Sequence, residues 1–486
     1  MGRLRGAALI GLSATVALAA GLTVGSAVPP AEHRTDEVHT QPLAKRQGAT
    51  AELLTEAQCV ATPSVRIPCY DPAQVQAAYG EPSLFAAGVK GGGQTIVIVD
   101  SFGSPTIRAD LAMFDAQFKL PAPPSFRIIQ PAGAVPAYNP RTTTMVGWAG
   151  ETTLDVEWAH AIAPGSSILL VETPVSETEG TVGFPQIVAA ENYVIAHQLG
   201  NVISQSFGAN EHTFSSLAAL KNLRSAYEQA SAAGITVLAA TGDTGATDYA
   251  TATAATYSTV PAVTWPASDP LVTAVGGTQV SLNAAGQRTA PDRVWNDSYS
   301  PVVNDFVFGT SAAHPNASGG GLSSVFSRPS YQQGVARVVG NHRGMPDISM
   351  SAACSGLVDT YQSFGGPTSP GWYYVCGTSE ATPIFAGIVA LADQEAHHGL
   401  GLINPALYAM QQAHDPGIVD ITQGNNTVSF SQNGAEHTVV GSSAAPGYDL
   451  ASGVGTVNAA LFVPELVRTQ AAVGTAVTYS FLPANI

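Results

Sequence analysis

The chain has 486 residues, of which 35 are acidic and 19 basic, giving a formal net charge of −16. Only 11% of residues are charged, while glycine (49) and proline (33) are abundant, a balance that suits a loop-rich exported protein with a large apolar core. No stripe or cluster of Lys and Arg is present, which argues against a nucleic-acid partner.

Residues 1–27 have the three parts of a secretory signal: Arg3 and Arg5, an apolar stretch from Ala7 to Val24, and the small residues Gly25, Ser26 and Ala27. A single membrane anchor is the competing reading. No other segment is apolar enough to span a bilayer, so the mature chain is expected to be secreted, free of the membrane and monomeric. Residues 28–68 are polar without periodicity and read as a linker or short pro-segment. The main domain is expected over 69–465, with a tail over 466–486.

Four cysteines in an exported chain suggest two disulfides, and the pairs close in sequence are Cys59 with Cys69 and Cys354 with Cys376, one of three possible connectivities. Neither Cys-x-x-Cys nor His-Glu-x-x-His occurs, and His397-His398 reads as a solvated helix end, so a zinc enzyme is poorly supported.

From Gly93 to Asp100 an unbroken apolar run reads as a buried parallel strand, and similar runs recur at Ser167–Glu172, Asn201–Ser206 and Ile235–Ala240. Helical stretches at 149–162, 187–199 and 214–233 separate them. Strand alternating with helix implies a doubly wound α/β sheet, whose chemistry gathers at the carboxyl ends of the strands. The Ala/Thr-rich stretch 244–264 reads as surface loop.

Three local patterns carry chemistry. In Cys376-Gly-Thr-Ser379-Glu-Ala-Thr-Pro383, a serine stands on a Gly-bounded turn that opens an apolar helix. Such a turn projects the hydroxyl, and the exposed helix N–H groups favour an anion, although a capping serine gives the same pattern. A serine nucleophile needs a base. Glu151 and Asp155 are four residues apart, so a helix places both carboxyls on one face. Sharing a proton, Asp155 would orient Glu151 and keep it basic at low pH, whereas an exposed acidic face is the bland alternative. Asp243, in Thr-Gly-Asp-Thr-Gly after a buried strand, is either a turn aspartate or, protonated, a donor to an oxyanion.

Together these patterns resemble the sedolisin family of serine-carboxyl peptidases, which join a Glu-x-x-x-Asp helix, a Gly-Asp-Ser/Thr-Gly loop and Gly-Thr-Ser-x-x-x-Pro in that order. The likeness extends through Trp265–Pro270, Val275–Thr278, Gly319–Ser324 and Met345–Ser349, and covers about Cys69 to Ala460. It implies a subtilisin-like fold and endopeptidase action on proteins or peptides at acidic pH. Ser379 would be the nucleophile, Glu151 its base, Asp155 the support of Glu151, and Asp243 the oxyanion donor. Glu380 stands where relatives often carry a small residue.

The resemblance also implies one calcium ion in a C-terminal binding region, held by Asp420, Asp449 and the carbonyls of Ile421, Ala445 and Gly447, with Ala445 standing where relatives usually have glycine. Two other readings remain open: a subtilisin-type triad of Asp100, His160 and Ser379, and a catalytically inactive binding protein on the same scaffold.

Overall fold

The computed structural model describes residues 53–366 and 369–483, together with the backbone of 43–46. The expected signal over 1–27 lies outside the described residues, as does most of the segment up to Leu53.

The apolar runs form an 8-stranded sheet. Its strands are β1 (Thr95–Ser101), β2 (Phe126–Ile129), β3 (Ser167–Thr173), β4 (Val202–Gln205), β5 (Thr236–Ala240), β6 (Thr273–Gln279), β7 (Arg293–Val294) and β8 (Ile348–Ser351). Their spatial order is β7-β6-β5-β4-β1-β3-β2, with β8 also paired to β6, and all pairings but β6–β7 are parallel. Ile96, Val97, Ile98 and Val99 are all 0% exposed, as expected of a strand covered on both faces. β1 pairs with both β3 and β4, so the winding reverses beside it and leaves a crevice at its carboxyl end. This is the expected subtilisin-like α/β architecture.

Two long helices cross against the sheet, α1 (Thr143–Ile162) and α2 (Thr378–Ala396). Gly387 sets how closely they approach, since a Cβ there would stand 2.5 Å from Ile162 Cγ2. Any side chain at that point would push apart the helices that carry Glu151 and Ser379. The strand Gly371–Cys376 feeds α2, and Cys376 is bonded to Cys354. The other expected bridge, Cys59–Cys69, is also present.

Several expectations need correction. Residues 53–68 are not a linker: helix Glu56–Ala61 is stapled through Cys59, and Cys59, Val65 and Ile67 lie in the core. The boundary at 465/466 falls inside helix Ala459–Val473, which sets Phe462 against Phe385 of α2 at 6.0 Å between ring centroids. Beyond it, Leu482 donates to the Val325 carbonyl at 2.8 Å, so the tail is laid along the strand Gly321–Ser327. The expected helix 214–233 splits into Leu217–Lys221 and Ser225–Ala233. At the break Arg224 is buried in a two-pronged ion pair with Asp269, at 2.5 and 2.9 Å. The stretch 244–264 is exposed only in its middle, where Tyr249–Thr251 pairs with Ala254–Tyr257; its two ends are buried. Among the described residues, no helix is long and apolar enough to cross a membrane.

Candidate active site

Ser379 sits in the first turn of α2, after Gly377 at the N-cap with φ 126°. Only a bare Cα fits there, because a Cβ on Gly377 would stand 2.5 Å from Asp243 Oδ2. Asp243 follows β5 and reaches over this turn. Its Oδ1 accepts the Thr378 N–H at 2.7 Å and the Thr378 hydroxyl at 2.8 Å, while the Gly242 N–H donates to that same hydroxyl at 3.1 Å. Asp243 Oδ2 is buried and has no partner among the described residues. Burial pushes the Asp243 carboxyl up to about 6, with the two Thr378 bonds acting in the opposite sense.

Glu151 and Asp155 lie one turn apart on α1, both buried, at 2% and 0% exposure. The nearby Ser379 side chain favours the ionised Glu151 carboxylate. Burial, the Asp100 charge and Asp243 outweigh it and hold Glu151 well above the usual range. Burial and the charges of Asp100 and Glu151 do the same to Asp155. Carboxyls packed this way cannot all ionise, so they share protons. The sequence-derived quartet of Ser379, Glu151, Asp155 and Asp243 is thus brought together around the start of α2.

His160 is not. Its Nε2 lies 2.8 Å from the Pro121 carbonyl and 3.3 Å from Asp115 Oδ1. Nine residues along α1 from Glu151, it projects from the opposite face. Asp100, the other member of that triad reading, acts on the carboxyl pair instead: it lies near the end of β1, fully buried, its charge raises Glu151 and Asp155, and burial pushes its own carboxyl up to about 7.

Sequence reasoning missed the residues that hold the quartet in place. The Ser206 hydroxyl donates to Asp155 Oδ1 at 2.8 Å and lies 3.4 Å from the Ser379 carbonyl. Thr378 fixes Asp243 through the two bonds to Oδ1. The only sequence signal for Ser206 was a polar run, Ser204-Gln-Ser206, closing an otherwise apolar strand. Glu380 is also buried, with both oxygens unpartnered among the described residues, and burial keeps it well above the usual range. Held towards its neutral form, Glu380 adds little charge to the first turn of α2.

The expected calcium ligands stand on two loops that meet. The Gly447 N–H donates to Asp420 Oδ2 at 2.9 Å, and the Ala445 N–H to Asp449 Oδ2 at 3.0 Å. Asp449 Oδ1 accepts the N–H groups of Ala451 and Ser452 at 2.9 and 2.8 Å. Asp420 is exposed and Asp449 buried. The donor atoms are oxygen alone, the type a hard cation takes, and the Gly447–Asp420 bond ties the two loops together.

Residues 140–412 match the family model described as the subtilase family. The chain belongs to the subtilase family. This subtilase is 30% identical over 396 residues to kumamolisin from Bacillus sp. (strain MN-32), a match that covers 80% of this chain and 62% of the relative. It is 30% identical over 336 residues to tripeptidyl-peptidase 1 of Homo sapiens, covering 66% of this chain and 52% of that protein. The subtilase therefore spans between half and two thirds of the length of these relatives. In three dimensions it resembles Pseudomonas sedolisin, a serine-carboxyl proteinase complexed with two molecules of pseudo-iodotyrostatin, with a TM-score of 0.64 and 24% identity over 82% of this chain and 98% of that one. Within the subtilases, the chain falls with the sedolisins.

Proposed function

We propose that this subtilase is a secreted endopeptidase that cleaves proteins or peptides at acidic pH through Ser379, Glu151, Asp155 and Asp243. The observation that carries this reading is the pairing of opposite needs around one turn: a buried carboxyl whose ionised form the serine side chain favours, and a second carboxyl fixed over the turn by Thr378 and biased towards its neutral form, with a free oxygen above the turn. Ser379 Oγ attacks the scissile carbonyl as its proton passes to Glu151. The carbonyl oxygen becomes an oxyanion, which accepts hydrogen bonds from the protonated Asp243 and from the N–H groups opening α2. On collapse, Glu151 returns the proton to the leaving amine, and the acyl-enzyme forms. Water then repeats the sequence and frees Ser379. Because Glu151 is itself held above the ordinary carboxyl range, it acts as base in the molecules whose shared proton rests on Asp155, and there it accepts the serine proton at a pH where imidazole, with an ordinary pKa of ~6.5, is mostly protonated.

The deciding experiment digests an unfolded protein mixture across the pH range and sequences the products. Cleavage confined to acidic pH supports the reading; activity centred above neutrality and lost in His160→Ala would overturn it.

Asp243 sets the alkaline limit. As pH rises through about 6 it ionises, loses its donor proton and repels the oxyanion. Asp243→Ala should lower kcat/KM by ~10²–10³ at acidic pH. Asp243→Asn keeps a donor that cannot ionise, so its alkaline limb should move to higher pH. An unchanged limb in Asp243→Asn would assign it to another group.

For calcium, we propose that Asp420 and Asp449, with the carbonyls of Ile421, Ala445 and Gly447, hold one ion whose role is to stabilise the C-terminal loops. An ion bound only to the folded chain adds ~2.7 kcal/mol at a hundredfold excess over Kd. A chelator should therefore lower the thermal midpoint of the wild type, while the Asp420→Ala variant should start low and not respond. Equal responses from both would remove the ion from these ligands.

A further inference from the structure

The proposed reaction leaves several buried carboxyls unused, Glu172 among them. Glu172 lies near the end of β3, directly opposite Asp100 in the β1–β3 ladder. It lines a cavity of about 170 Å³ together with Phe102, Gln130, Pro136, Tyr138 and Met145. Phe102 and Ser104 follow the carboxyl end of β1 and Glu172 stands near that of β3, so the cavity lies at the same edge of the sheet as Asp100, Ser206 and Asp243.

The surroundings of Glu172 are built to present its carboxylate. The residue is 7% exposed. Gln130 Nε2 donates to its Oε2 at 2.7 Å, and Oε1 accepts no hydrogen bond among the described residues. Space for Oε1 depends on Gly103, at φ 71°, where a Cβ would stand 2.0 Å away. No basic residue lines the cavity. Arg108 acts on Glu172 at a distance, but its guanidinium lies over the Phe126 ring at 4.9 Å and donates to the Phe126 carbonyl at 2.9 Å. The Tyr138 hydroxyl, also in the cavity wall, has no partner among the described residues.

A carboxylate this buried, with a free oxygen and no cation beside it, is costly unless a guest supplies the charge. Phe102, Pro136 and Met145 offer apolar surface suited to a methylene stem, while Glu172 Oε1 and the Tyr138 oxygen lie where a cationic head would seek acceptors. The volume holds one extended side chain. The chain's net charge of −16 also favours the approach of cationic peptides.

We propose that this cavity is a substrate subsite for one basic side chain, lysine or arginine, with Glu172 as its counter-charge. The assignment rests on the endopeptidase reading above and names the substrate feature which that reading leaves open.

The test uses a peptide series cleaved at one bond, with arginine or its neutral isostere citrulline placed in turn at each flanking position. Assays run from about pH 5 to 7, because burial raises Glu172 above the ordinary carboxyl range and the arginine preference should grow as it ionises. At one position arginine should raise kcat/KM about 10- to 100-fold over citrulline, a difference of ~1.4–2.8 kcal/mol. Glu172→Gln should bring that ratio close to one, and Glu172→Asp, which restores the charge, should recover part of it. No position favouring arginine, or a preference that survives Glu172→Gln, overturns the subsite. Calorimetry with the Ser379→Ala protein reads the subsite without turnover: the arginine peptide should bind more tightly than the citrulline peptide, and the Glu172→Gln change should erase the difference. If the wild type cleaves neither peptide yet this binding difference holds, the peptidase reading fails and the basic subsite stands; equal binding of the two peptides sinks the subsite alone.

Discussion

Ser379→Ala should lower kcat/KM by about 10⁴- to 10⁶-fold, and Glu151→Ala should cost a comparable amount, because nucleophile and base act as one unit. The double variant should then be no worse than the poorer single variant, since the second substitution removes a partner that already has nothing to do. Additive losses would mean that the two side chains serve separate steps, which would overturn the proposed transfer of the serine proton to Glu151. The fold should tolerate Ser379→Ala. Helix α2 is held by Cys376, by its crossing with α1 at Gly387 and by Phe385 against Phe462, none of which involves the hydroxyl. Asp155→Asn separates support from chemistry. It keeps a partner for the Ser206 hydroxyl but cannot share a proton, so kcat should fall and its pH dependence change while KM stays close to wild type. A rise in KM with an unaltered pH profile would make Asp155 a purely structural group.

What the sequence disclosed and what it hid divide along a physical line. The central strands were legible because a strand covered on both faces must be apolar throughout, as at Ile96–Val99. Glu151 and Asp155 were legible as a pair because helical spacing alone puts them on one face. Their burial was not, since it depends on α2 crossing α1 and on Ser206 arriving from β4. The broken helix at Arg224 was hidden because its partner, Asp269, is 45 residues away and local propensity knows nothing of it. Residues 53–68 looked like linker because the helix Glu56–Ala61 is too short to show a period and is held by a disulfide rather than by an apolar stripe. The basic subsite proposed at Glu172 had no sequence signature at all: one strand end, one glycine and a loop glutamine from three separate segments define it.

The thermal midpoint should be highest near pH 4 and fall as pH rises towards 8, the reverse of ordinary acid denaturation. Burial raises many carboxyls of this fold above their ordinary range of ~3.9–4.3: Asp243 and Asp297 to about 6, Asp100 and Asp248 to about 7, and Glu191 to about 8. A carboxyl raised in the folded state binds its proton more tightly there than in the unfolded chain. Between pH 4 and the folded value the native protein therefore carries more protons than the unfolded one, and stability falls with rising pH. The contribution is complete below pH 4 and is lost as pH passes through 6 to 8. Each tenfold gain in proton affinity is worth ~1.4 kcal/mol, so Asp243 alone accounts for about 3 kcal/mol, a large part of the stability of a typical domain. The growing net negative charge acts in the same direction. Melting curves of the Ser379→Ala protein, which removes self-digestion as a confounding process, measure the effect. Glu191→Gln supplies the control: it keeps a polar group beside Gln205 but cannot ionise, so its midpoint should fall less steeply between pH 6 and 8. A midpoint that instead climbs from pH 4 to 7 would mean these carboxyls are ionised in the native chain. The neutral Asp243 on which oxyanion stabilisation depends would then be lost with them.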